Sequence, residues 1–148
     1  MADIFDVANW FLAKERMTHQ TIQRLCYYAQ AWSFAICPQP ISTAQFEAWV
    51  QGPVCRELYM KYKHYGFNYI PQGKTALGKF FLDEESFLEN VWNTYGKLSE
   101  VGLTALSQSE PPWKKARISC APNENCHVLI SAADMAEYYR SIYSGGDA

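Results

Sequence analysis

Residues 46–59 read F-E-A-W-V-Q-G-P-V-C-R-E-L-Y, and the rest of the chain is organised around this stretch. A short apolar segment that contains Trp49 meets Gly52-Pro53, and a helical pattern follows at once. Pro53 has a φ fixed near the helical value, and it lacks an N–H that the first turn of a helix would leave unpaired. Gly52 relieves the crowding that a proline imposes on the residue before it. The stretch therefore predicts a rigid corner.

The pattern after the corner predicts a helix that begins at Pro53. Val54, Leu58 and Tyr62 follow the i, i+4, i+8 spacing, which places them on one buried face. Gly66 stands where a left-handed end of that helix is expected. The residues that we expect to build the corner are Trp49, Gly52, Pro53 and Leu58.

The whole sequence predicts a mainly α fold, a compact single-domain helical bundle with one small β element. Amphipathic patterns predict helices over residues 3–15, 18–36, 83–95 and 99–106, a short turn or helix from 111, and a last helix from 131. Thr18, Asp83 and Ser99 are the expected N-caps. Two aromatic runs separated by Pro and Gly predict a small β-hairpin or an extended excursion at 67–82. We expect residues 1–143 to form the domain and 144–148 to be a frayed tail.

Composition disfavours two classes of partner. The chain has 148 residues and a net charge of −2, and its 13 Lys and Arg are scattered apart from Lys114-Lys115-x-Arg117. A protein that neutralises phosphates gathers its basic residues, so we expect no direct contact with nucleic acid. No segment approaches the roughly 20 apolar residues that a membrane span needs, so we expect no membrane partner. The N-terminus lacks a signal-peptide pattern, which predicts a cytoplasmic location.

The five cysteines are odd in number and widely spaced, at positions 26, 37, 55, 120 and 126. Free thiols in a reducing cytoplasm are the simplest interpretation of this pattern. The segment Cys120-x5-Cys126-His127 invites comparison with a zinc site. Structural zinc sites need four ligands, usually in closely spaced pairs, and the sequence has no second pair. We therefore predict loop thiols and no metal.

No catalytic group stands out. Catalysis by Cys and His needs a partnered thiolate, and His19, His64 and His127 are each isolated in sequence, which neither supports nor excludes such a pair. Glu84-Glu85 lies in the first turn of a predicted helix, where compensation of the helix dipole explains both carboxylates. The glycines are not spaced as in a phosphate-binding loop. The sequence predicts no catalytic residue and no cofactor.

Three motifs, in the same order, resemble those of the Panacea antitoxin domain family. Residues 22–32, I-Q-R-L-C-Y-Y-A-Q-A-W, resemble its L-Q-K-L-L-Y-Y-A-Q pattern. Residues 46–54, with the following Leu58-Tyr59, are similar to its E-A-W-x-x-G-P-V motif. Residues 95–99 and Pro112-Trp113 resemble its third motif. The main departure is Ser107-Gln108, which stands where the family often has Thr-His.

The resemblance implies an antitoxin of a type II toxin–antitoxin system, which binds and neutralises a cognate toxin protein and is not an enzyme. One family member is thought to deliver its toxin to a cytoplasmic protease, so such a protease is a second implied partner. The candidate contact residues are Gln23, Arg24, Tyr27, Glu47, Gln51, Arg56, Tyr59 and Trp113. For Gln23 and Glu47 the alternative is that they satisfy buried backbone groups, and for Trp113 that it is a core residue.

Two other functions remain open at this point. One is an enzyme that acts on a small molecule or nucleotide, with Glu47, Arg56 and His64 lining a pocket. The other is an adaptor from a phage or mobile element that binds a host protein. A deep polar cleft would favour the enzyme, whereas a flat aromatic-rich face would favour a binding module.

Overall fold

Helix α2, residues His19–Ile36, is the central element of the fold. Thr18 caps it, since the Thr18 hydroxyl accepts a hydrogen bond from the Thr21 N–H. Most of its residues are buried, because α2 packs against the other helices and the hairpin on several sides. The computed structural model describes residues 2–74 and 78–143. Within these ranges the fold is mainly α, as the sequence predicts.

The remaining elements surround α2. Helix α1 precedes it, the hairpin and α3 follow it, and four further helices complete the domain. The bounds are α1 Ile4–Leu12, β1 Glu47–Trp49, β2 Gly52–Val54, α3 Arg56–Tyr62, α4 Leu82–Tyr95, α5 Glu100–Ser109, α6 Pro111–Ala116 and α7 Ala132–Ile142. A single 3-10 turn, Lys63–Tyr65, extends α3 to Gly66, whose φ of +58° ends the element as expected.

The small sheet lies inside the corner itself. Strands β1 and β2 pair antiparallel, with Glu47 opposite Val54 and Trp49 opposite Gly52. Residues 128–130 add an extended segment on the other edge of β1. There the Ala48 N–H donates to the Val128 carbonyl at 2.7 Å and the Ile130 N–H to the Phe46 carbonyl at 2.8 Å. A distant part of the chain thus completes the corner.

The predicted start of the third helix at Pro53 is wrong. Pro53 lies in β2, and α3 begins at Arg56. Pro53 is tolerated in a strand because it lies opposite Ala48, whose N–H points away from β2 towards Val128. The predicted buried face is confirmed, since Val54, Leu58 and Tyr62 are all buried.

The segment 67–82 contains no strand among its described residues. It forms one antiparallel bridge, between Ile70 and Met17, so the extended alternative holds there and the hairpin alternative does not. Among the described residues, the two aromatic runs of this segment pair with no strand. Phe67 and Phe81, one from each run, are exposed to solvent. The cap of α4 is Phe81 instead of Asp83, because the Glu84 carboxylate accepts the Phe81 N–H at 2.8 Å. The predicted tail, 144–148, lies outside the described residues.

Candidate functional site

The inner side of the corner is held by two consecutive side chains of α2. Gln23 pairs with the backbone of Cys55 in both directions: its Nε2 donates to the carbonyl at 2.9 Å, and its Oε1 accepts the N–H at 2.8 Å. Arg24 donates from Nη1 to the Pro53 carbonyl at 2.7 Å and from Nη2 to the Gln51 carbonyl at 2.6 Å. The polar pair therefore fastens the exit of the hairpin to the central helix. Buried backbone groups need such partners.

Gly52 is required by this arrangement for two reasons. Its φ is +130°, a conformation that residues with a side chain rarely adopt. A Cβ at this position would lie 2.9 Å from Cζ, Nε and Nη2 of Arg24, so the peptide rests directly on the guanidinium group. Burial lowers the pKa of Arg24 to about 10, which leaves the group charged at neutral pH.

Burial removes Gln23, Arg24 and Tyr27 from the proposed contact surface. They are 3%, 1% and 0% exposed, so a partner cannot reach them without rearrangement of the fold. Gln23 instead satisfies buried backbone groups, as its alternative interpretation held. Tyr27 lies in the core, where its hydroxyl meets that of Tyr139 at 3.3 Å. These motif residues build the corner from within.

The outer side of the corner carries a connected polar and aromatic group, which we call the outer face: Glu47, Trp49, Arg56, Tyr59 and His127. Arg56 donates two hydrogen bonds to the Glu47 carboxylate, from Nη2 at 2.9 Å and from Nε at 3.2 Å. The Trp49 indole donates to the same carboxylate at 2.8 Å. Burial acts to raise the pKa of Glu47, but the hydrogen bonds from Trp49 and Arg56 outweigh it, so the pKa is lowered.

Aromatic contacts hold this ion pair in place. The Trp49 ring stacks on His127 with centroids 4.8 Å apart, and Tyr59 meets it edge to face at 5.0 Å. His127 Nδ1 lies 3.3 Å from Arg56 Nη2. Arg56 and His127 are exposed, Tyr59 and Glu47 are partly buried, and Trp49 is 8% exposed. The outer face is thus a preorganised cluster with a rigid aromatic base.

Trp113 and Gln51 lie at the margin of this face. Trp113 is partly buried and donates from Nε1 to the Trp49 carbonyl at 2.9 Å, which assigns it a part in holding β1. Gln51 is exposed at the tip of the hairpin, where its backbone carbonyl accepts a hydrogen bond from Arg24. Of the predicted contact residues, the structure brings together Glu47, Arg56 and Tyr59 on one surface.

Sequence reasoning missed the loop that brings His127 to the outer face. Cys120 and Cys126 form a disulfide, so the prediction that these two cysteines are free thiols is wrong. Their spacing allowed the pairing because the loop folds back on itself: Arg117 donates to the carbonyls of Ala121 and Glu124. Cys26, Cys37 and Cys55 are free, as expected.

Arg117 was also missed as a structural residue. It is 7% exposed and donates from Nη1 to the Ala48 carbonyl at 2.8 Å, so one guanidinium joins the disulfide loop to β1. In the sequence, Arg117 stands only as the last member of a short basic cluster, and nothing in that cluster indicates burial. A buried Arg that binds several carbonyls has no short-range sequence pattern.

A buried carboxyl group lies in the core at some distance along the chain from this loop. Glu110 is 6% exposed and accepts hydrogen bonds from the hydroxyls of Tyr28 and Tyr139, each at 2.8 Å. Burial raises the pKa of Glu110, and the two hydroxyl bonds act against that rise. The two tyrosines thereby satisfy the carboxyl group of Glu110, the residue that immediately precedes α6.

Comparison with protein-family models gives one match, to the antitoxin SocA-like Panacea domain, over residues 22–114. This range covers more than half of the chain and includes all three motifs that carried the resemblance. The chain belongs to the SocA-like antitoxin family. The Panacea motifs thus correspond to the Gln23–Arg24 pair, the corner and the Trp113 contact. No curated protein and no solved structure matches the chain.

Two further observations on this Panacea domain concern membrane-spanning helices and metal sites. No helix within 2–74 or 78–143 is long and apolar enough to cross a membrane. No group of three or more His, Cys, Asp or Glu residues converges there as a metal site would require. Of the three residues that the enzyme alternative names, Arg56 and Glu47 bind each other, and the histidine beside Arg56 is His127.

Proposed function

We propose that this chain is a non-enzymatic antitoxin that neutralises a toxin protein by direct binding through the outer face. Membership of the SocA-like antitoxin family supports a role as an antitoxin. The single observation that carries the binding surface is the cluster of Arg56, Glu47 and His127 on Trp49. Exposed Arg beside Trp and Tyr is the composition of energetic centres in protein interfaces.

The physical argument is one of preorganisation. A free arginine side chain loses rotamer entropy when a partner immobilises it, at about 0.5–1.5 kcal/mol per side chain. Arg56 already has two bonds to Glu47 and a contact with His127, so most of that entropy is lost on folding. Its side chain nevertheless remains 52% exposed, which leaves donor atoms for a carboxylate or carbonyl of the toxin.

The partner is therefore a toxin that presents acceptor groups and apolar surface to this cluster. Neutralisation by contact requires only that the bound chain covers the active surface of the toxin or moves that surface out of its active position. Delivery to a cytoplasmic protease would use the same complex as its first step, so the two routes share the outer face and differ in the fate of the toxin.

The test is co-expression with the product of the neighbouring reading frame. The proposal predicts that this product alone arrests growth, that the chain restores growth, and that the two proteins co-purify. Growth arrest that persists while the chain accumulates in folded form, with no complex, contradicts direct neutralisation. Measuring the toxin's half-life with and without the chain separates the routes, since a shortened half-life indicates delivery and an unchanged one indicates contact alone.

A further inference from the structure

The Cys120–Cys126 disulfide closes a short loop between α6 and the outer face. Both cysteines are partly exposed, and residues 121–125 between them are exposed, so small molecules in solution can reach the bond. Cys26 and Cys55, in contrast, are buried free thiols of the core. The disulfide therefore lies outside the packing that holds the helices together. Exposed disulfides of this kind belong to the labile, regulatory class.

The disulfide fixes the residue that immediately precedes His127. Within the described part of the chain, residues 125–127 make no backbone hydrogen bond to a helix or strand, so the covalent bond is what ties Cys126 to the segment after α6. On the other side of His127, the Val128 carbonyl accepts the Ala48 N–H at 2.7 Å. His127 is thus held between one covalent link and one strand contact.

The position of His127 organises the exposed part of the outer face. Its ring stacks on Trp49 with centroids 4.8 Å apart, and its Nδ1 lies 3.3 Å from Arg56 Nη2. Opening the disulfide gives the segment before His127 conformational freedom, so the stacked position becomes one of many. Arg56 then keeps its two bonds to Glu47 but loses the histidine contact. A partner has to order both side chains on binding, which costs affinity.

We propose that the Cys120–Cys126 pair is a redox switch that sets the affinity of the outer face for its protein partner. The oxidised pair holds His127 on Trp49 and gives the state that binds tightly, whereas the reduced pair releases His127 and gives the state that binds weakly. The inference rests on the proposed function, because the outer face is the surface assigned to the partner.

The chemical step is thiol–disulfide exchange with a small-molecule thiol. The thiolate of one molecule attacks a sulfur of the disulfide, forms a mixed disulfide and releases the other cysteine as a thiolate, which takes up a proton. A second thiolate attacks the small molecule's own sulfur in the mixed disulfide, which yields the small-molecule disulfide and the second cysteine thiol. Two small-molecule thiols are thus oxidised as the protein disulfide is reduced, and the reverse reaction closes the loop again.

The first experiment uses the chain alone, in mixtures of reduced and oxidised glutathione. Mass spectrometry after alkylation measures the fraction of disulfide, and nuclear Overhauser effects between the His127 and Trp49 rings report the stack. The proposal predicts that the bond opens while the domain stays folded, and that the His127–Trp49 signals disappear as it opens. The Tyr28–Tyr95 stack of the core, with centroids 3.9 Å apart, should keep its signals. A His127–Trp49 stack that persists after complete reduction overturns the proposal, as does a bond that opens only when the domain unfolds.

The second experiment measures the affinity of the oxidised and the reduced chain for the co-expressed partner. Reduction should weaken binding about fivefold to tenfold, because two side chains have to be ordered again. Cys126→Ser should bind as weakly as the reduced chain and no longer respond to glutathione, which also controls for any effect of the thiol on the partner. Cys37→Ser should respond as the wild-type chain does, since this thiol is free. In His127→Ala the effect of reduction should fall to about twofold or less, because the ring through which the switch acts is gone.

The outcomes separate the switch from the proposed function. If the complex forms and reduction leaves its affinity unchanged, or if His127→Ala keeps the full effect of reduction, the switch is refuted while the proposed function stands. If no complex forms, the proposed function fails and the control of affinity fails with it, whereas the first experiment still decides whether the disulfide positions His127.

Discussion

Replacing Gly52 by alanine tests whether the corner depends on the peptide that rests on Arg24. The new Cβ would lie 2.9 Å from three guanidinium atoms, a separation that real Cβ atoms do not show. The positive φ alone costs about 1–3 kcal/mol. Displacing Arg24 would weaken two charge-assisted bonds, each worth about 1.5–3 kcal/mol. We therefore expect Gly52→Ala to lower the free energy of unfolding by about 3–5 kcal/mol, a large part of a typical domain's stability.

Urea unfolding followed by tryptophan fluorescence measures this loss, and Gly66→Ala is the matched control. Gly66 also has a positive φ, +58°, but a Cβ there meets nothing within 4 Å. It should cost about 1–3 kcal/mol, from backbone conformation alone. The reasoning is refuted if the two substitutions destabilise equally. As a second check, Gly52→Ala should cost clearly less when Arg24 is already replaced by methionine, because the clash is then absent.

Two further predictions concern the core and the disulfide loop. Glu110 has a raised pKa in the folded state, so its contribution is fully present below its unfolded pKa and is lost as pH rises through the folded value. Denaturation curves between pH 4 and pH 8 should therefore show a fall in stability with rising pH that Glu110→Gln abolishes, and an unchanged profile would contradict the raised pKa. Reduction of the Cys120–Cys126 disulfide, or Cys126→Ser, should lower the free energy of unfolding by about 2 kcal/mol, the loop-closure value for so short a loop. Cys37→Ser is the control, since this thiol is free, and a stability that does not respond to reductant in the wild-type chain would refute the disulfide.

Helix α2 could be predicted from the sequence almost to the residue. Its start is fixed by Thr18, a short polar side chain that caps the first turn, and its end by the prolines at 38 and 40. Its apolar spacing is sustained over the whole length, so local information was sufficient. The same holds for Ser99 and Ser131, each of which caps the helix predicted to follow it.

The hairpin could not be predicted in the same way. Its strands are three residues long, and β2 contains a proline that would argue against a strand. What stabilises it is distant in sequence: Arg24 and Gln23 on one side, and residues 128–130 on the other. Non-local hydrogen bonds of this kind leave no periodicity to detect, which is why the helix start was placed three residues early.

Residue type alone does not show which motif residues are buried and which lie at the surface. Arg56 and Glu47 lie at the surface, as expected of charged residues, whereas Arg24 is buried against carbonyls, an exception for arginine. His127 could not have been assigned to the outer face from sequence, because the disulfide loop carries it there from the far end of the chain. The motif residues are thus partly scaffold and partly surface.

The affinity of the Arg56→Ala chain for its co-expressed partner tests the central claim most directly. Arg56 is exposed and its ion pair is at the surface, so the free energy of unfolding should change by about 1 kcal/mol or less. As an anchor of the interface it should cost at least about 2 kcal/mol of binding, which is about a thirtyfold loss of affinity. Arg16→Ala is the control, since Arg16 is also exposed and lies over an aromatic ring, that of Tyr69, outside the outer face. The account predicts a thirtyfold loss for Arg56→Ala and none for Arg16→Ala, and equal affinities for the two variants would contradict it.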